Sequence, residues 1–248
     1  MSRAPVRSAP ALFVSDLHLA EERPETSALF LRFVREEAAR AAELYILGDL
    51  FEYWIGDDAL AEDPLATAVA QQLRLLADSG VRVSLMHGNR DFLIGPGFCA
   101  AAGAALLEDP KVLEIDGTAT LLMHGDTLCT DDLDYQAWRR TARSPAWQRE
   151  FLAKSIAERR AVVGALRDKS KAVTQAKPLE IMDVADAAVR AAFRDHDVAR
   201  LIHGHTHRPA RHQLEVDGRR RERWVLPDWY GRGGYLALDA VGPRLVGF

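Results

Sequence analysis

The chain has 248 residues, of which 48% are hydrophobic and 27% are charged, and this fits one globular domain with an insertion. Its net charge of −4 gives no overall basic character that would favour nucleic acid as a partner. No apolar run approaches the ~20 residues of a membrane span. Residues 1–10 lack the apolar core of a signal peptide and are predicted to be a disordered tail. The two cysteines, Cys99 and Cys129, form no disulfide framework, so a reducing cytoplasm is expected.

Two strands near the amino terminus end in polar side chains. The apolar run at residues 11–15 predicts a strand, and Asp16 and His18 follow it directly. Their i, i+2 spacing places both side chains on one side, where they could share a metal ion. A second apolar run at residues 44–47 predicts a strand that stops at a glycine, with Asp49 directly after it.

One predicted helix lies between these two strands, and another lies between the second strand and a third. Apolar residues at helical spacing predict a helix over residues 25–42. Asp63 has the character of an N-cap, followed by proline, for a helix that ends near Gly80. The strand at residues 81–86 then leads to Asn89. The resulting β-α-β-α-β order is typical of a layered α/β fold.

Turn signals organise the remainder. Asp57-Asp58 is interpreted as a solvated turn. Asp116-Gly117, between two strand-like runs, predicts a hairpin whose second strand ends at His124. Another Asp-Gly turn, at Asp217-Gly218, lies among strand-like segments that we expect to form a second sheet on the first.

Residues 137–180 differ from the rest of the chain. They carry 11 Lys and Arg against 4 Asp and Glu, a charge of +7, so the remainder of the chain carries −11. Apolar residues recur at helical spacing, and no strand pattern is present. We interpret the segment as a helical insertion that covers the site, between core segments 11–136 and 181–248; an ordinary solvated helical pair is the alternative.

The polar strand ends supply a mixed set of ligands. A strand at residues 199–202 adds two histidines to those already described. Carboxylate, amide and imidazole groups without thiolate suit divalent ions such as Mn²⁺, Fe²⁺ or Zn²⁺. If the Asp49 carboxylate bridges two metal ions, the seven ligand residues fill two sites of four protein ligands each. Two neighbouring metal ions are the arrangement used for displacement at phosphorus. The set comprises Asp16, His18, Asp49, Asn89, His124, His205 and His207.

These motifs resemble the calcineurin-like metallophosphoesterases over about residues 11–210. The resemblance rests on five motifs, which are Asp16-Leu17-His18, Gly48-Asp49, Gly88-Asn89-Arg90-Asp91, His124-Gly125-Asp126 and Gly204-His205-Thr206-His207. The resemblance implies a four-layer αββα sandwich with two metal sites. One site would hold Asp16, His18, Asp49 and His207, and the other Asp49, Asn89, His124 and His205.

Longer strings around these motifs resemble the branch of that family that acts in lipid A synthesis. They include residues 49–58, 124–132 and 205–210. The resemblance implies hydrolysis of UDP-2,3-diacylglucosamine with two Mn²⁺ ions, by a monomer attached peripherally to the cytoplasmic face of the inner membrane. It implies catalytic roles for Asn89, Arg90 and His205 under a helical lid. It also implies substrate contacts from Asn89, Arg90, Asp132, Tyr135, Arg167, Ser170, Thr174, Lys177 and His205.

Three positions are informative within that resemblance. Thr174 stands where asparagine is expected, and Pro227 precedes Asp228 where glycine is usual. Arg90 stands where many metallophosphoesterases have a histidine that protonates the leaving group. Arginine keeps its proton at any working pH, so it is a poor general acid and a good ligand for phosphate oxygens. This favours a phosphoanhydride substrate, whose leaving group is itself a phosphate.

Two other classes of function are compatible with parts of the sequence. One is a different dimetal phosphoesterase, namely a nuclease, a protein phosphatase or a cyclic-nucleotide phosphodiesterase. The basic insertion with Trp138 and Trp147 could serve a nuclease, although the body of the chain is acidic. The other is a metal-free scaffold that binds partners, which predicts that ligands have been lost, and all seven positions are occupied by ligand residues.

Overall fold

In the computed structural model of the chain, residues 9–176 and 183–248 are described, and side chains are described except for residues 168–176. The strands of this part are β1 (Ala11–Val14), β2 (Glu43–Leu47), β3 (Arg82–Met86), β4 (Ala104–Leu107), β5 (Lys111–Ile115), β6 (Thr118–Leu122), β7 (Arg200–His203), β8 (Ala210–Val216), β9 (Arg219–Val225), β10 (Gly234–Leu238) and β11 (Arg244–Gly247). Its α-helices are α1 (Pro24–Glu36), α2 (Pro64–Asp78), α3 (Pro96–Ala102), α4 (Leu133–Ala142), α5 (Pro145–Leu152), α6 (Ile156–Ala176) and α7 (Asp186–His196).

The strands form two sheets. The first has the order β11-β10-β1-β2-β3-β4, with β1 to β4 parallel and the last two strands of the chain antiparallel at one edge. The second has the order β5-β6-β7-β9-β8, in which β6, β7 and β9 run parallel. Parallel strands share the edge at which their carboxyl ends lie, so polar residues after β1, β2, β3, β6 and β7 are brought close together.

Apolar side chains pack in three layers around these sheets. Between the sheets, Phe13 and Tyr45 stack with ring centroids 4.8 Å apart, and Ile202 and Trp224 face them from the second sheet. Helices α1 to α3 pack on the outer face of the first sheet, and α7 packs on the outer face of the second. Each fully buried Phe, Leu or Ile contributes about 1.5–3 kcal/mol relative to an exposed one. The fold is the predicted four-layer αββα sandwich.

Local signals set several of these elements. Asp63 accepts a hydrogen bond from Ala66 N at 2.8 Å, so it is the predicted N-cap of α2. Asp116 and Gly117, with φ of 50° and 67°, make the predicted tight turn between β5 and β6. The helix predicted over residues 25–42 is shorter, because α1 ends at Glu36 and a 3₁₀ turn follows at Ala38–Arg40.

Two interpretations of the sequence are wrong. The carboxyl-terminal strands do not all belong to the second sheet, since β10 and β11 join the first sheet beside β1. Asp57 is not a solvated turn residue. Its carboxylate accepts hydrogen bonds from the backbone N–H groups of Gly95, Gly97 and Phe98 and so caps the amino end of α3.

Helices α4 to α6 occupy the segment predicted to be an insertion, and α4 begins at Leu133, before residue 137. The division into a core and a lid stays a prediction, as does a disordered tail at residues 1–10, of which residues 1–8 lie outside the described part. Within the described ranges, the structure has no helix that is both long and apolar enough to span a membrane.

Candidate active site

The polar residues at the strand ends adopt an uncommon backbone conformation. Asp16, His18, Asp49, His205 and His207 have φ of 54°, 49°, 52°, 69° and 54°. This left-handed region is unfavourable for residues other than glycine, and such residues concentrate at functional sites. The side chains of these residues converge on one shared space, as the distances below show.

Two glycines permit the close approach of these turns. Gly48, with φ of 88°, has no room for a side chain, since a Cβ there would lie 2.6 Å from the Gly88 backbone and from His124 Nδ1. A Cβ on Gly88 would overlap the Asp49 carboxylate. The turn after β2 and the turn after β3 therefore touch through backbone, which only glycine allows.

Asp16, His18 and His207 form one group of potential metal ligands. His207 Nε2 lies 3.4 Å from His18 Nε2 and 3.4 Å from Asp16 Oδ1. Asp16 is fully buried, and its Oδ2 accepts a hydrogen bond from His205 N at 2.8 Å. Its Oδ1 has no hydrogen-bond partner within the described ranges. A buried carboxylate oxygen without a donor, facing two imidazoles, fits a cation ligand.

The second group combines Asp49, Asn89, His124 and His205. Asn89 Oδ1 lies 3.0 Å from His124 Nε2 and 2.9 Å from His205 Nδ1. Asp16, Asp49 and His124 also offer ligand atoms that lie within 4.8 Å of one another. All seven side chains predicted as ligands therefore converge on the same edge of the two sheets.

Asp49 lies between the two groups. Its Oδ2 is 3.7 Å from His18 Nε2 and 3.8 Å from His124 Nε2. Its Oδ1 accepts a hydrogen bond from Arg90 N at 2.8 Å, which fixes the orientation of the carboxylate. This is the geometry that a bridging carboxylate requires, and the bridging role itself stays a prediction.

Buried carboxylates and imidazoles shift one another's pKa at the site. Burial, together with the carboxylates of Asp91 and Asp16, raises the pKa of Asp49 to about 7. Burial alone would lower the pKa of His124, but the carboxylates of Asp49, Asp16 and Asp126 outweigh it and raise that pKa to about 9. A divalent cation would neutralise the same charge, and the oxygen and imidazole donors suit one. The residues present thus fit a divalent metal cofactor.

Asp91 and Asp126 hold the loops around the site together through hydrogen bonds. Asp91 is fully buried and accepts hydrogen bonds from Leu50 N at 2.7 Å and Gly88 N at 2.8 Å, so it joins the turns after β2 and β3. Asp126 accepts a hydrogen bond from the Tyr135 hydroxyl at 2.6 Å and another from Arg139 Nε at 2.7 Å. It thereby ties α4 to the loop that carries His124. The motifs contain both aspartates, but sequence reasoning gave neither a role.

A cavity of about 470 Å³ opens beside the potential ligands. Its apolar wall consists largely of Phe92, Leu93, Trp138, Trp147, Phe151, Val163 and Leu166. Five of the residues predicted to contact substrate line it, namely Asn89, Arg90, Asp132, Tyr135 and Arg167. The guanidinium group of Arg90 forms no hydrogen bond or salt bridge with another described residue.

The other predicted substrate contacts are placed differently. His205 does not line the cavity, but its ring centroid lies 5.8 Å from that of Tyr135, which does. Ser170 and Thr174 belong to α6, in the part of that helix whose side chains are not described. Lys177 lies outside the described residues.

The αββα fold, and a ligand set without thiolate at the strand ends, define the class of protein. A family model described as calcineurin-like phosphoesterase matches residues 9–209, and the chain belongs to this family. It is a family of metal-dependent enzymes, in keeping with the donors described above.

Curated relatives extend the similarity to nearly the whole chain. It is 49% identical over 236 residues to a protein of Aromatoleum aromaticum, covering 95% of this chain and 96% of the relative. It is 49% identical over 239 residues to one of Pseudomonas aeruginosa (96% and 98% covered) and 50% identical over 240 residues to one of Bordetella pertussis (94% and 93%). Each of these relatives is named UDP-2,3-diacylglucosamine hydrolase.

Proposed function

We propose that the chain is a metal-dependent pyrophosphohydrolase that converts UDP-2,3-diacylglucosamine to UMP and 2,3-diacylglucosamine 1-phosphate (lipid X) in lipid A biosynthesis. The cavity carries this proposal, because polar residues that include Asn89 and Arg90 line it together with aromatic and aliphatic side chains. A substrate with a charged pyrophosphate and two acyl chains complements both kinds of lining residue. The similarity to UDP-2,3-diacylglucosamine hydrolases over nearly the full chain supports the same substrate.

Two Mn²⁺ ions are the proposed cofactors. Asp16, His18, Asp49 and His207 would hold one, and Asp49, Asn89, His124 and His205 the other. A bound pair supplies an activated water and offsets charge on the phosphoryl oxygens. The chain's own contribution is geometric, because left-handed backbone and the hydrogen bond from Arg90 N to Asp49 Oδ1 hold the donors in place before any substrate arrives.

Arg90 is proposed to bind the pyrophosphate. Its backbone N–H is committed to Asp49, but its guanidinium group has no ion-pair partner in the described part of the chain and faces the cavity. A guanidinium group binds two phosphate oxygens through parallel hydrogen bonds and keeps its charge throughout turnover. It therefore stabilises a phosphate leaving group without transferring a proton to it. Asn89 and His205 are proposed to act beside it as catalytic residues.

Helices α4 to α6 are proposed to form the lid that binds the rest of the substrate. Trp138, Trp147 and Phe151 would contact the acyl chains, since each lines the cavity. Asp132, Tyr135 and Arg167 would contact the polar sugar and phosphate groups. Contacts from Ser170, Thr174 and Lys177 are part of the same proposal.

The proposed site of action is the cytoplasmic face of the inner membrane, where a monomer would associate peripherally. Residues 137–180 carry a charge of +7, which would attract anionic headgroups. On the same helices Leu133 is 74% exposed and Trp138 39% exposed, so apolar side chains are available at that surface. Cosedimentation with anionic vesicles and size-exclusion chromatography test these two points.

The decisive experiment compares four substrates with the purified protein, with and without added Mn²⁺. UDP-2,3-diacylglucosamine should be hydrolysed fastest, and UMP and lipid X should be identified as the products. Alkyl phosphate monoesters and DNA should be far poorer, because an alkoxide leaves badly without a general acid. UDP-glucosamine without acyl chains should also be poor, because it leaves the apolar wall unfilled.

Rates within tenfold of one another on all four substrates would contradict the proposal. Efficient cleavage of DNA or of a cyclic nucleotide would instead indicate one of the other dimetal phosphoesterase functions. Wild-type rates after complete removal of metal, checked by elemental analysis, would exclude the metal-dependent mechanism itself.

A further inference from the structure

Glu52 lines the cavity but belongs neither to the set of potential metal ligands nor to the residues predicted to contact substrate. It follows β2, three residues after Asp49, and is only 8% exposed. Its Oε2 lies 3.4 Å from His18 Nδ1 and accepts a hydrogen bond from Arg23 Nη2 at 2.5 Å. Its Oε1 lies 3.6 Å from Arg167 Nε. One buried carboxylate therefore faces a potential metal ligand, a loop arginine and an arginine of α6.

The two ring nitrogens of His18 face different surroundings. Nε2 points toward His207 and Asp49, where a metal ion would be held. Nδ1 points the other way and has no hydrogen-bond partner in the described part of the chain, and the carboxylate of Glu52 is 3.4 Å from it. A neutral imidazole carries its proton on one nitrogen only. A carboxylate beside Nδ1 favours the proton there, which leaves the Nε2 lone pair free for a cation.

Glu52 is itself held in place. Arg23 donates to its Oε2, and the Arg23 guanidinium group lies 4.8 Å from the centre of the Tyr230 ring. That ring stacks on His18, with centroids 5.5 Å apart, and lies 5.4 Å from the ring of His207. Because Arg23 holds Glu52 on the Nδ1 side of His18, the carboxylate supports the imidazole instead of replacing it as a ligand.

The second oxygen of Glu52 extends the same network to α6. Arg167 lines the cavity, and its guanidinium group lies between Glu52 and Glu22, with Arg167 Nη1 3.4 Å from Glu22 Oε1. The two carboxylates differ in burial, since the Glu52 side chain is 9% exposed and that of Glu22 is 61% exposed. Arg167 Nη1 donates a hydrogen bond to Glu22, whereas Arg167 Nε faces Glu52 without one, so Glu52 acts on Arg167 through its charge. An exposed ion pair contributes little, and the charge of the buried Glu52 is screened less by solvent.

We infer that Glu52 is a positioning residue that couples the metal site to the lid. Through Oε2 it fixes His18 with Nε2 directed toward the metal ion, and through Oε1 it holds Arg167 over the cavity. Metal affinity and substrate affinity then depend on one carboxylate. This inference rests on the proposed metal site, but not on the identity of the substrate.

The test measures Mn²⁺ binding by calorimetry and Mn²⁺ electron paramagnetic resonance on metal-stripped protein, without substrate. Glu52→Gln keeps the size and an oxygen acceptor but removes the charge, whereas Glu52→Ala removes both. Loss of such an outer partner lowers metal affinity by about 10–100-fold. We expect the smaller loss for Glu52→Gln and the larger for Glu52→Ala, together with a higher KM for both variants.

Glu22→Gln is the matched control, because Glu22 also faces Arg167 but contacts no described metal ligand. It should leave Mn²⁺ affinity unchanged. Wild-type Mn²⁺ affinity in Glu52→Gln and Glu52→Ala would overturn the inference, and so would an equal loss of affinity in Glu22→Gln. If Glu52→Ala does not fold, as judged by circular dichroism, the isosteric Glu52→Gln decides alone. A loss of Mn²⁺ affinity without turnover of UDP-2,3-diacylglucosamine by the wild type would uphold this inference and refute the proposed substrate.

Discussion

The strand ends and the helices α4 to α6 contribute to the same cavity, but they are held in different ways. At the strand ends, tight turns and backbone hydrogen bonds set the position of each side chain, as when His18 N donates to Asp49 O at 2.9 Å. Asp16, Asp49 and His124 are all at most 2% exposed there. The comparison indicates that groups that would carry the chemistry are fixed by the core of the fold.

The helical segment is instead attached through a few side chains. Arg159 of α6 is buried, with Nη1 donating to Ile55 O at 2.6 Å and to Asp58 Oδ1 at 2.8 Å. Gly56 makes room for it, since a Cβ there would lie 2.5 Å from Arg159 Nη1. Phe151 packs nearby against Ile55 and Ala59. Such an attachment can be loosened by one substitution without disturbing the sheets.

The largest effect is expected from Asp49→Ala, which removes the carboxylate at the centre of the site at the strand ends. Both potential metal groups lose the carboxylate that faces them, so bound metal and turnover should fall together. The loss of turnover should exceed the ~100-fold that removal of an outer partner causes. Metal analysis and steady-state kinetics check this, and a variant that keeps two metals and near-normal turnover would contradict the bridging role.

Arg167→Ala tests the helical region on the side that faces substrate. A hydrogen bond to a charged group contributes about 1.5–3 kcal/mol, so kcat/KM should fall by roughly 10–100-fold. Metal content should stay unchanged. Lys177→Ala is predicted to behave in the same way. Arg149→Ala is a suitable control, since Arg149 is an exposed arginine of the neighbouring helix α5. Unchanged kinetics in both test variants would contradict a role of these two cations in binding substrate.

Arg159→Ala tests how the helical region is attached. It leaves the carbonyl of Ile55 without its donor and removes a buried side chain, which should lower the free energy of unfolding by about 1–3 kcal/mol. Limited proteolysis should cut α5 and α6 sooner than in the wild type. Arg160→Ala removes the adjacent, exposed arginine that pairs with Glu62 and should change neither measurement. Equal protease sensitivity of the two variants would contradict the role of Arg159 in attaching helices α5 and α6 to the core.

The smallest effect is expected at the two thiols, one packed in the core on the first sheet and one in the loop before α4. Burial raises the pKa of Cys99, in α3, to about 11 and that of Cys129, near α4, to about 12. A raised pKa keeps a thiol protonated, so at pH 8 roughly one Cys99 in a thousand or fewer is the reactive thiolate. Neither should react with a thiol reagent until the protein is unfolded. Fast reaction of Cys129 alone would show that its surroundings open without the core.

Local sequence patterns predicted the elements of the fold better than they predicted which residues hold the site and its surrounding helices in place. Asp63 and the Asp116-Gly117 turn act within a few residues, so their roles can be read from the sequence. The strand ends could be placed together because parallel strands share an edge. Asp58 was interpreted with Asp57 as a solvated turn, and its ion pair with Arg159 could not be predicted because the two residues are 101 positions apart. Nor does an alternating pattern reveal which sheet a strand joins, which is why β10 and β11 were misplaced.

Gly48 and Gly88 have a consequence for mutational screens. Neither has a functional group, yet a methyl group at either position would collide with the neighbouring turn or with Asp49. A screen that scores only growth or turnover would rank both glycines beside the ligands, and would thereby assign chemistry to residues that have no side chain. Measuring both the metal content and the free energy of unfolding of each variant would distinguish a steric clash from the loss of a metal ligand.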